Sequence, residues 1–563
     1  MIKFAVCFAA ALGVVFCAPD NRIDPEVNRL GASGHPSHVI VQFREGVEAA
    51  SYGRFSRQVK YHKSLEMIRS AVYEIRGQDD LQALAADPDV EYIAPDRAIS
   101  STAYSGPPDY AWMQTLGITS TFGTAAFDGT GIGVAVIDSG VNPSIEFQDA
   151  KHASRITYSA NFTTDKDASD GYGHGTFVAG LVAGNGAQSA MVPSFTQYWV
   201  RGTAPNATII NLKALNSLGA GSDSTVIAAI QAATKLPASL HVKVINLSLG
   251  RPVAASCSAD LLCQAVNQAW QLGFVVVVAA GNDGRTASTQ GYGTIDVPGN
   301  SPYAITVGAS NTQGELAWSD AKMASYSSKG PTMIDHIAKP DLVASGNRIL
   351  SLRVNGSTLD SQFPANEVPL SVYSSAKGGP GNIYFQLSGT SMAAGITSGA
   401  VALVLQKNPN YTPDQVKELL MATAYKFPQK SSIATDAVTG VSYQTTYDLF
   451  TVGAGDLNVA AALANMTTPP LISMQSPAVK FSSGGSVQLV SPNMSLWGSN
   501  AAWGTMSLWG SSVVSSNMSL WGSNSLWGTS GTAAFNSLWG SNAAWGTSTL
   551  GADSTTIAIN GEN

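Results

Sequence analysis

Charge is scarce in this chain. Asp, Glu, Lys and Arg together make up 12% of its 563 residues, about half the ~25% usual for a globular domain. Lys and Arg gather in no cluster and the formal net charge is −7, so neither a nucleic-acid surface nor a polybasic membrane surface is encoded. Cysteine is scarcer still, with four copies, and no His/Cys spacing suits a catalytic zinc. The apolar run Phe4 to Ala18, behind Met1-Ile2-Lys3, is too short to span a bilayer comfortably and has the form of a secretory signal over residues 1–18. Cleavage is expected near Cys17 or Ala18; a lipid anchor on Cys17 is the alternative, disfavoured by bulky Phe16 before it. Two of the four cysteines, Cys7 and Cys17, lie in this leader. That leaves Cys257 and Cys263, which are either a small disulfide loop of an exported domain or two buried thiols.

The length predicts two or more domains. His38-Val39-Ile40-Val41-Gln42-Phe43-Arg44 and Ala71-Val72-Tyr73-Glu74-Ile75 alternate like strands, and Val90 to Asp96 reads as a third. Ser64 to Arg69 and Asp79 to Ala86 read as helical, giving a small α+β unit over residues 38–99. A Ser/Gly/Pro-rich link from Ser100 to Pro108 comes next. Beyond Asp128 the pattern changes to apolar runs, at Ile132 to Ile137, Ala207 to Leu212, Val242 to Leu247 and Phe274 to Ala279. Helical stretches at about Ser224 to Lys235 and Ala259 to Leu272 separate them, so a parallel sheet covered on both faces is expected. This domain is bounded at residues 105–465, with a linker over 466–480.

Residues 481–552 contain no charge at all. Trp-Gly recurs at Trp497, Trp503, Trp509, Trp521, Trp527, Trp539 and Trp545, always six or twelve residues apart. An even period keeps every indole on one face of an extended strand. The segment is expected to be a repetitive β structure or a partly disordered tail, with surface, glycan or self-association as its role.

Chemistry concentrates at four places. Gly389-Thr390-Ser391-Met392-Ala393-Ala394-Gly395 runs into the apolar stretch Ala400 to Leu405, which sets Ser391 at the mouth of a buried helix where N–H groups converge. An N-cap would explain Gly-Thr-Ser alone. Asp138 ends the strand Val134-Ala135-Val136-Ile137, at the sheet edge where ligands of α/β proteins gather. His174 is flanked by glycines in Gly173-His174-Gly175-Thr176, which predicts an accessible imidazole. Asn282 follows Ala279-Ala280-Gly281 at another strand end. Taken together they complete an acyl-transfer site: Ser391 as nucleophile, His174 as base, Asp138 as its orienting partner, and Asn282 with the Ser391 N–H as oxyanion donors.

In the order Asp, His, Ser, and in the motifs Val136-Ile137-Asp138-Ser139-Gly140, Gly173-His174-Gly175-Thr176, Ala279-Ala280-Gly281-Asn282 and Gly389 to Ala394, the chain resembles the subtilisin-like serine proteases (the subtilase family) from about Tyr110 to Leu463. The resemblance implies an α/β fold, a mostly parallel sheet with helices on both faces, and a secreted endopeptidase acting on polypeptides without a catalytic cofactor. It implies that Ser248-Leu249-Gly250 pairs with the substrate backbone and, with Ala279, Ala280 and Gly281, lines the pocket for the residue before the cut. The α+β unit then looks like the inhibitory propeptide of that family, a partner in cis, with self-cleavage between Asp96 and Tyr104. Structural calcium is common among relatives. Asp165, Asp167 and Asp170 are its nearest oxygen-rich loop, and a solvated acidic loop is the plainer reading. Two departures stand out. Phe177 replaces a second histidine, and Gly395 replaces the proline after Met-Ala-Ala, which predicts loosened first turns of the nucleophile helix. The stretch Leu352 to Ile383 is longer than in small relatives and is expected to form a loop near the cleft.

Overall fold

Short antiparallel strands and two helices build the N-terminal part of the computed structural model, which describes residues 22–100, 127–190, 200–286, 289–314, 318–369, 383–435, 440–471, 473–481 and 487–490. The described chain divides into two units, one ending at Asp96 and one beginning at Arg97. In the first, strands β1 (Ser37–Phe43), β2 (Lys60–Leu65), β3 (Ser70–Ile75) and β4 (Val90–Pro95) form a sheet in the order β2-β3-β1-β4. Every neighbouring pair is antiparallel. Helices α1 (Pro25–Ser33) and α2 (Gln78–Ala85) pack on it and on each other. Asp24 caps α1 by accepting the Glu26 N–H at 2.8 Å, and Pro25 opens the first turn. Phe43 stacks on Tyr52 with ring centroids 4.7 Å apart, within a core that includes Val27, Leu81 and Ile93.

Two expectations for this unit need correction. It begins before residue 38, because Ile23 pairs with Ile93 and Val27 on α1 is fully buried. Ser64 to Arg69 is no helix: β2 runs to Leu65, a single 3₁₀ turn follows at Glu66–Ile68, and Arg69 at φ 51° turns the chain into β3. Strand β2 carries no apolar alternation because Lys60-Tyr61-His62-Lys63 is polar; Lys60 lies against Glu74 across the sheet at 2.8 Å.

The second unit is organised on an eight-stranded sheet. Its order is β13 (Lys322–Met323), β12 (Ile305–Asn311), β11 (Val275–Ala279), β10 (Val242–Leu247), β6 (Gly133–Asp138), β8 (Thr208–Lys213) and β7 (Ile156–Asn161), with β14 (Leu342–Ser345) also paired to β12. All pairs are parallel except β12 with β13. The four runs read from sequence are β6, β8, β10 and β11, buried almost without break as strands covered on both faces must be. Strand β6 lies where the strand order reverses, so its last residue, Asp138, sits at the switch point of the sheet.

Helices α3 (His174–Ala183) and α6 (Thr390–Lys407) pack together, as do α4 (Asp223–Lys235) and α5 (Leu261–Gln271). Helix α6 is buried at every residue from Thr390 to Leu405 and apolar all round, which makes it the core helix of the unit. It runs unbroken through Gly395, so the predicted loosening is not what this glycine brings. A Cβ there would meet Val178 Cγ1 at 3.3 Å and Leu181 Cβ at 3.5 Å; the missing side chain lets α6 approach α3 closely. A short pair, β15 (Ile349–Leu352) with β16 (Tyr384–Leu387), leads into α6.

Residues 466–480 are not a free linker. Met474, Ser476 and Val479 are buried, the Ala338 N–H donates to Pro477 O at 2.8 Å, and the Val479 N–H donates to His336 O at 2.7 Å. Ala478–Phe481 then forms a hairpin with Val487–Val490. The Trp-Gly array and the leader lie outside the described residues.

Ser476 completes a buried charge cluster. Asp341, without exposed surface, receives Lys339 Nζ at 2.6 Å, Lys417 Nζ of α7 (Pro413–Thr423) at 3.0 Å, the Ser476 hydroxyl at 2.6 Å and the Thr306 N–H at 2.8 Å. Burial pulls Lys339 down to about 7 in spite of Asp341 beside it. Removing the carboxylate strands two ammonium groups in the core, so Asp341→Ala is expected to cost about 3–5 kcal/mol. Urea unfolding of the variant beside the unaltered chain measures this.

Candidate active site

Strand β6 delivers Asp138 and helix α3 delivers His174, and the two meet at full burial with His174 Nδ1 2.8 Å from Asp138 Oδ1. A carboxylate only accepts, so Nδ1 carries the proton and Nε2 holds the lone pair of a general base. The Ser139 N–H donates to the same carboxylate oxygen at 2.7 Å and fixes it further. His174 is therefore a buried ring, not the accessible one its flanking glycines suggest. Its glycines serve contact: a Cβ on Gly175 would lie 2.2 Å from Gly140 O and 3.1 Å from Asp138 Cβ.

Asp170 latches this arrangement, although in the sequence it is only one member of an oxygen-rich loop. Its Oδ1 accepts the Ser139 hydroxyl at 2.8 Å and the Gly173 N–H at 2.7 Å; its Oδ2 accepts the Thr176 N–H at 2.7 Å. The Ser139 hydroxyl in turn accepts the Gly175 N–H at 2.9 Å. First-turn N–H groups of α3, which have no partner within the helix, are thus satisfied by a carboxylate at the positive end of its dipole. Burial pushes the Asp170 carboxyl above its ordinary range despite these donors. Asp165 pairs with Lys213 at 3.1 Å and accepts the Ser217 N–H, while Asp167 accepts the Ser169 N–H. All three carboxylates of the loop are engaged by protein donors.

Ser391 occupies the first turn of α6, buried, with its hydroxyl donating to Ser248 O at 3.2 Å. The Ser248 hydroxyl donates back to Ser391 O at 2.8 Å, and Asn246 joins Ser248 to Ser398 through its side-chain amide. These bonds fasten the end of β10 to the start of α6. Asn282, buried after β11, accepts the Thr390 N–H on Oδ1 at 3.0 Å, with the Thr390 hydroxyl at 3.1 Å. Because a backbone N–H can only donate, Oδ1 must face Thr390, and the amide donor faces away. That buried donor, Nδ2, has no acceptor among the described residues. An unfilled donor beside the first turn of α6 is what a developing oxyanion requires.

Among the sites expected to line the substrate, Ser248, Leu249, Ala279, Ala280 and Gly281 are buried at the ends of β10 and β11, and Gly250 is partly exposed beside them. Strand β5 (Ala98–Ser100), inside the stretch where self-cleavage is expected, lies antiparallel on β9 (Ala220–Ser222), with Ile99 opposite Gly221. Strand β9 is absent from the sequence-based expectations; the small-residue run Gly219-Ala220-Gly221-Ser222 before α4 is its signal. The described part of the long insertion packs on the loop before His174: the Thr358 N–H donates to Gly171 O and the Leu359 N–H to Tyr172 O, both at 3.0 Å. Cys257 and Cys263 are joined as a disulfide.

A mostly parallel α/β sheet carrying Asp, His and Ser in that chain order, with an asparagine amide facing the serine helix, defines a serine peptidase of the subtilisin type. The chain belongs to the subtilase family, whose model matches residues 129–455, more than half its length. It is 37% identical over 298 residues to the serine protease AprX of Bacillus subtilis (strain 168), covering 52% of this chain and 61% of that protein. Against subtilisin E of the same organism it is 28% identical over 430 residues, covering 75% and 93%. Fervidolysin from Fervidobacterium pennivorans, a keratinolytic enzyme related to subtilisin, shares the fold with a TM-score of 0.53 at 22% identity; the match covers 77% of this chain and 61% of that one. The chain thus spans about three fifths of AprX and of fervidolysin, and nearly all of subtilisin E.

Two substitutions probe the geometry. Asn282→Leu removes the waiting donor and is expected to lower kcat about 10²–10³-fold with little change in KM, as loss of one such donor does in a subtilisin. Gly175→Ala drives a Cβ into Gly140 O and shifts His174 from Asp138; steady-state kinetics should show a fall of about 10²-fold, the cost of a displacement near 1 Å.

Proposed function

We propose that the chain is a secreted serine endopeptidase, made as a self-processing zymogen, that hydrolyses internal peptide bonds through an acyl-enzyme on Ser391. The observation that carries this reading is the Asp138–His174 pair at the sheet's switch point, set beside a buried helix whose first turn holds Ser391 and whose neighbour Asn282 offers an unfilled donor. In the first step Ser391 Oγ attacks the scissile carbonyl carbon and His174 Nε2 takes its proton. Asp138 stabilises the imidazolium, and the carbonyl oxygen, now negative, is received by Asn282 Nδ2 and the Ser391 N–H. His174 then returns the proton to the leaving amine as the C–N bond breaks. Water, deprotonated by the same imidazole, attacks the ester and releases the acid and Ser391.

Strand addition supplies the substrate's backbone grip. Edge segment Ala220–Ser222 already holds Ala98–Ser100 antiparallel, the way an extended peptide adds to an open sheet edge. This supports a zymogen in which the α+β unit folds on the chain's own behalf, acts as the inhibitory propeptide, and is cut away between Asp96 and Tyr104. Secretion rests on the Phe4 to Ala18 leader, and the Cys257–Cys263 bridge suits an oxidising compartment. Ser391→Ala is expected to abolish both casein cleavage and release of the N-terminal unit, read by gel and intact mass. A processed, casein-cleaving Ser391→Ala protein rules the reading out.

A further inference from the structure

Two carboxylates beside the substrate-lining strips take no part in the acyl-transfer chemistry. Asp296 is stitched between those strips by its backbone. Its N–H donates to Ala280 O at 3.0 Å, and the next residue, Val297, exchanges both backbone hydrogen bonds with Arg251, at 3.0 and 2.8 Å. Its side chain fills the space that two glycines leave open. A Cβ on Gly250 would lie 2.9 Å from Asp296 Cβ and 3.3 Å from Oδ2; one on Gly281 would lie 2.7 Å from Oδ2 and 3.0 Å from Cγ. The carboxylate therefore closes the gap between Ser248–Gly250 and Ala279–Gly281 at its glycine end. Asp283, one residue past the oxyanion amide, faces the same place closely enough to act on Asp296 electrostatically.

Among the described residues, neither carboxylate has a cation of its own. Arg251 is the basic group near Asp296, and its guanidinium is already taken: Nε and Nη2 bind Asp223 at 2.7 and 2.8 Å, and Nη2 binds Asp260 at 2.7 Å. Asp296 lies deep yet keeps some accessible surface, so a group entering the gap would reach it. Burial pushes the carboxyls of Asp296 and Asp283 up, and for Asp296 the neighbouring Asp283 adds to the rise. An acid held this way is stabilised by whatever brings a positive charge beside it.

We propose that Asp296, assisted by Asp283, is the specificity determinant of this pocket and selects substrates with Lys or Arg immediately before the cleaved bond. The inference rests on the peptidase reading above and names the substrate class of that same site. An ammonium or guanidinium entering between the strips pairs with Asp296 in a desolvated setting, whereas Leu or Phe would leave the carboxylate buried and unpaired, a combination that discriminates strongly. Within the stretch where self-cleavage is expected, Asp96 to Tyr104, Arg97 is the one basic residue. Self-cleavage after Arg97 would use this pocket; a cut later in the stretch would draw on intramolecular proximity instead.

The test uses the full-length chain after processing and fluorogenic tetrapeptides identical except before the cut, where they carry Arg, its uncharged isostere citrulline, Lys, Leu or Glu. Arg and Lys are expected to exceed citrulline and Leu at least tenfold in kcat/KM, with Glu cut least. Asp296→Asn should bring the Arg-to-citrulline ratio to within about twofold of one, and Asp283→Asn should lower it by a smaller factor. A wild-type ratio near one overturns the proposal without any variant, and so does an Asp296→Asn protein that keeps the tenfold preference. If casein and all the peptides stay intact, the peptidase reading fails and takes this inference with it. Casein cleavage with Leu preferred refutes the inference alone.

Discussion

The contact on which the rest depends is the hydrogen bond between Asp138 and His174. Both side chains are fully buried; Asp138 Oδ1 takes both His174 Nδ1 and the Ser139 N–H, while Oδ2 has no partner among the described residues, so the pair hangs on that one oxygen. One partner ends a central strand and the other begins a helix, so the bond fixes α3 relative to the sheet as well as the tautomer of the ring. Asp170 and Ser139 hold that junction from the far side by capturing first-turn N–H groups of α3. Polar side chains thus do the positioning at this sheet edge, while the Val and Ile runs of β6, β8, β10 and β11 supply the rigidity.

Small residues do the complementary work. Helices α3 and α6, which carry His174 and Ser391 in their first turns, pack against each other, which requires their axes to come close. Gly395 permits it against Val178 and Leu181, and Gly399 leaves room for Thr203 and Val182 O. A helix as buried as α6 gains little from intrinsic propensity and much from packing, which is why a glycine in its second turn is accommodated without a break. The cost of a helix-interior glycine, about 1 kcal/mol relative to Ala, is offset by contacts that a side chain would prevent.

Much of this is legible in the residues. Near-continuous apolar runs mark four parallel strands because burial on both faces erases alternation, and the motifs around Asp138, His174, Asn282 and Ser391 are short and local. The features that escape a reading of sequence depend on partners distant along the chain. Asp170 looks like one of three loop carboxylates, since nothing nearby says that Ser139 and Thr176 fold onto it. Ala220–Ser222 carries too little side chain to show a pattern, and its role as an edge emerges only when another segment lies beside it. Asp296 follows Ile295 and precedes Val297 with no motif around it, and its position between two glycine strips is a product of tertiary folding alone. The accessible imidazole inferred from flanking glycines errs for a related reason: Gly175 admits the Gly140 backbone and Gly173 the Ser357 side chain, not solvent.

The docked stretch at residues 474–479 bears on where the catalytic unit can be separated from the C-terminal repeats. A gene fragment stopped at Leu463, the natural choice from the apolar pattern, would discard the Ser476 hydroxyl that both Asp341 and Lys417 use. It would also strip the backbone partners of the Ala338 N–H and of His336 O from that edge and open two buried lysines to water. A recombinant fragment retaining the hairpin through Val490 keeps that seal intact, so the trimming point, more than the protease chemistry, decides whether an isolated domain is worth purifying.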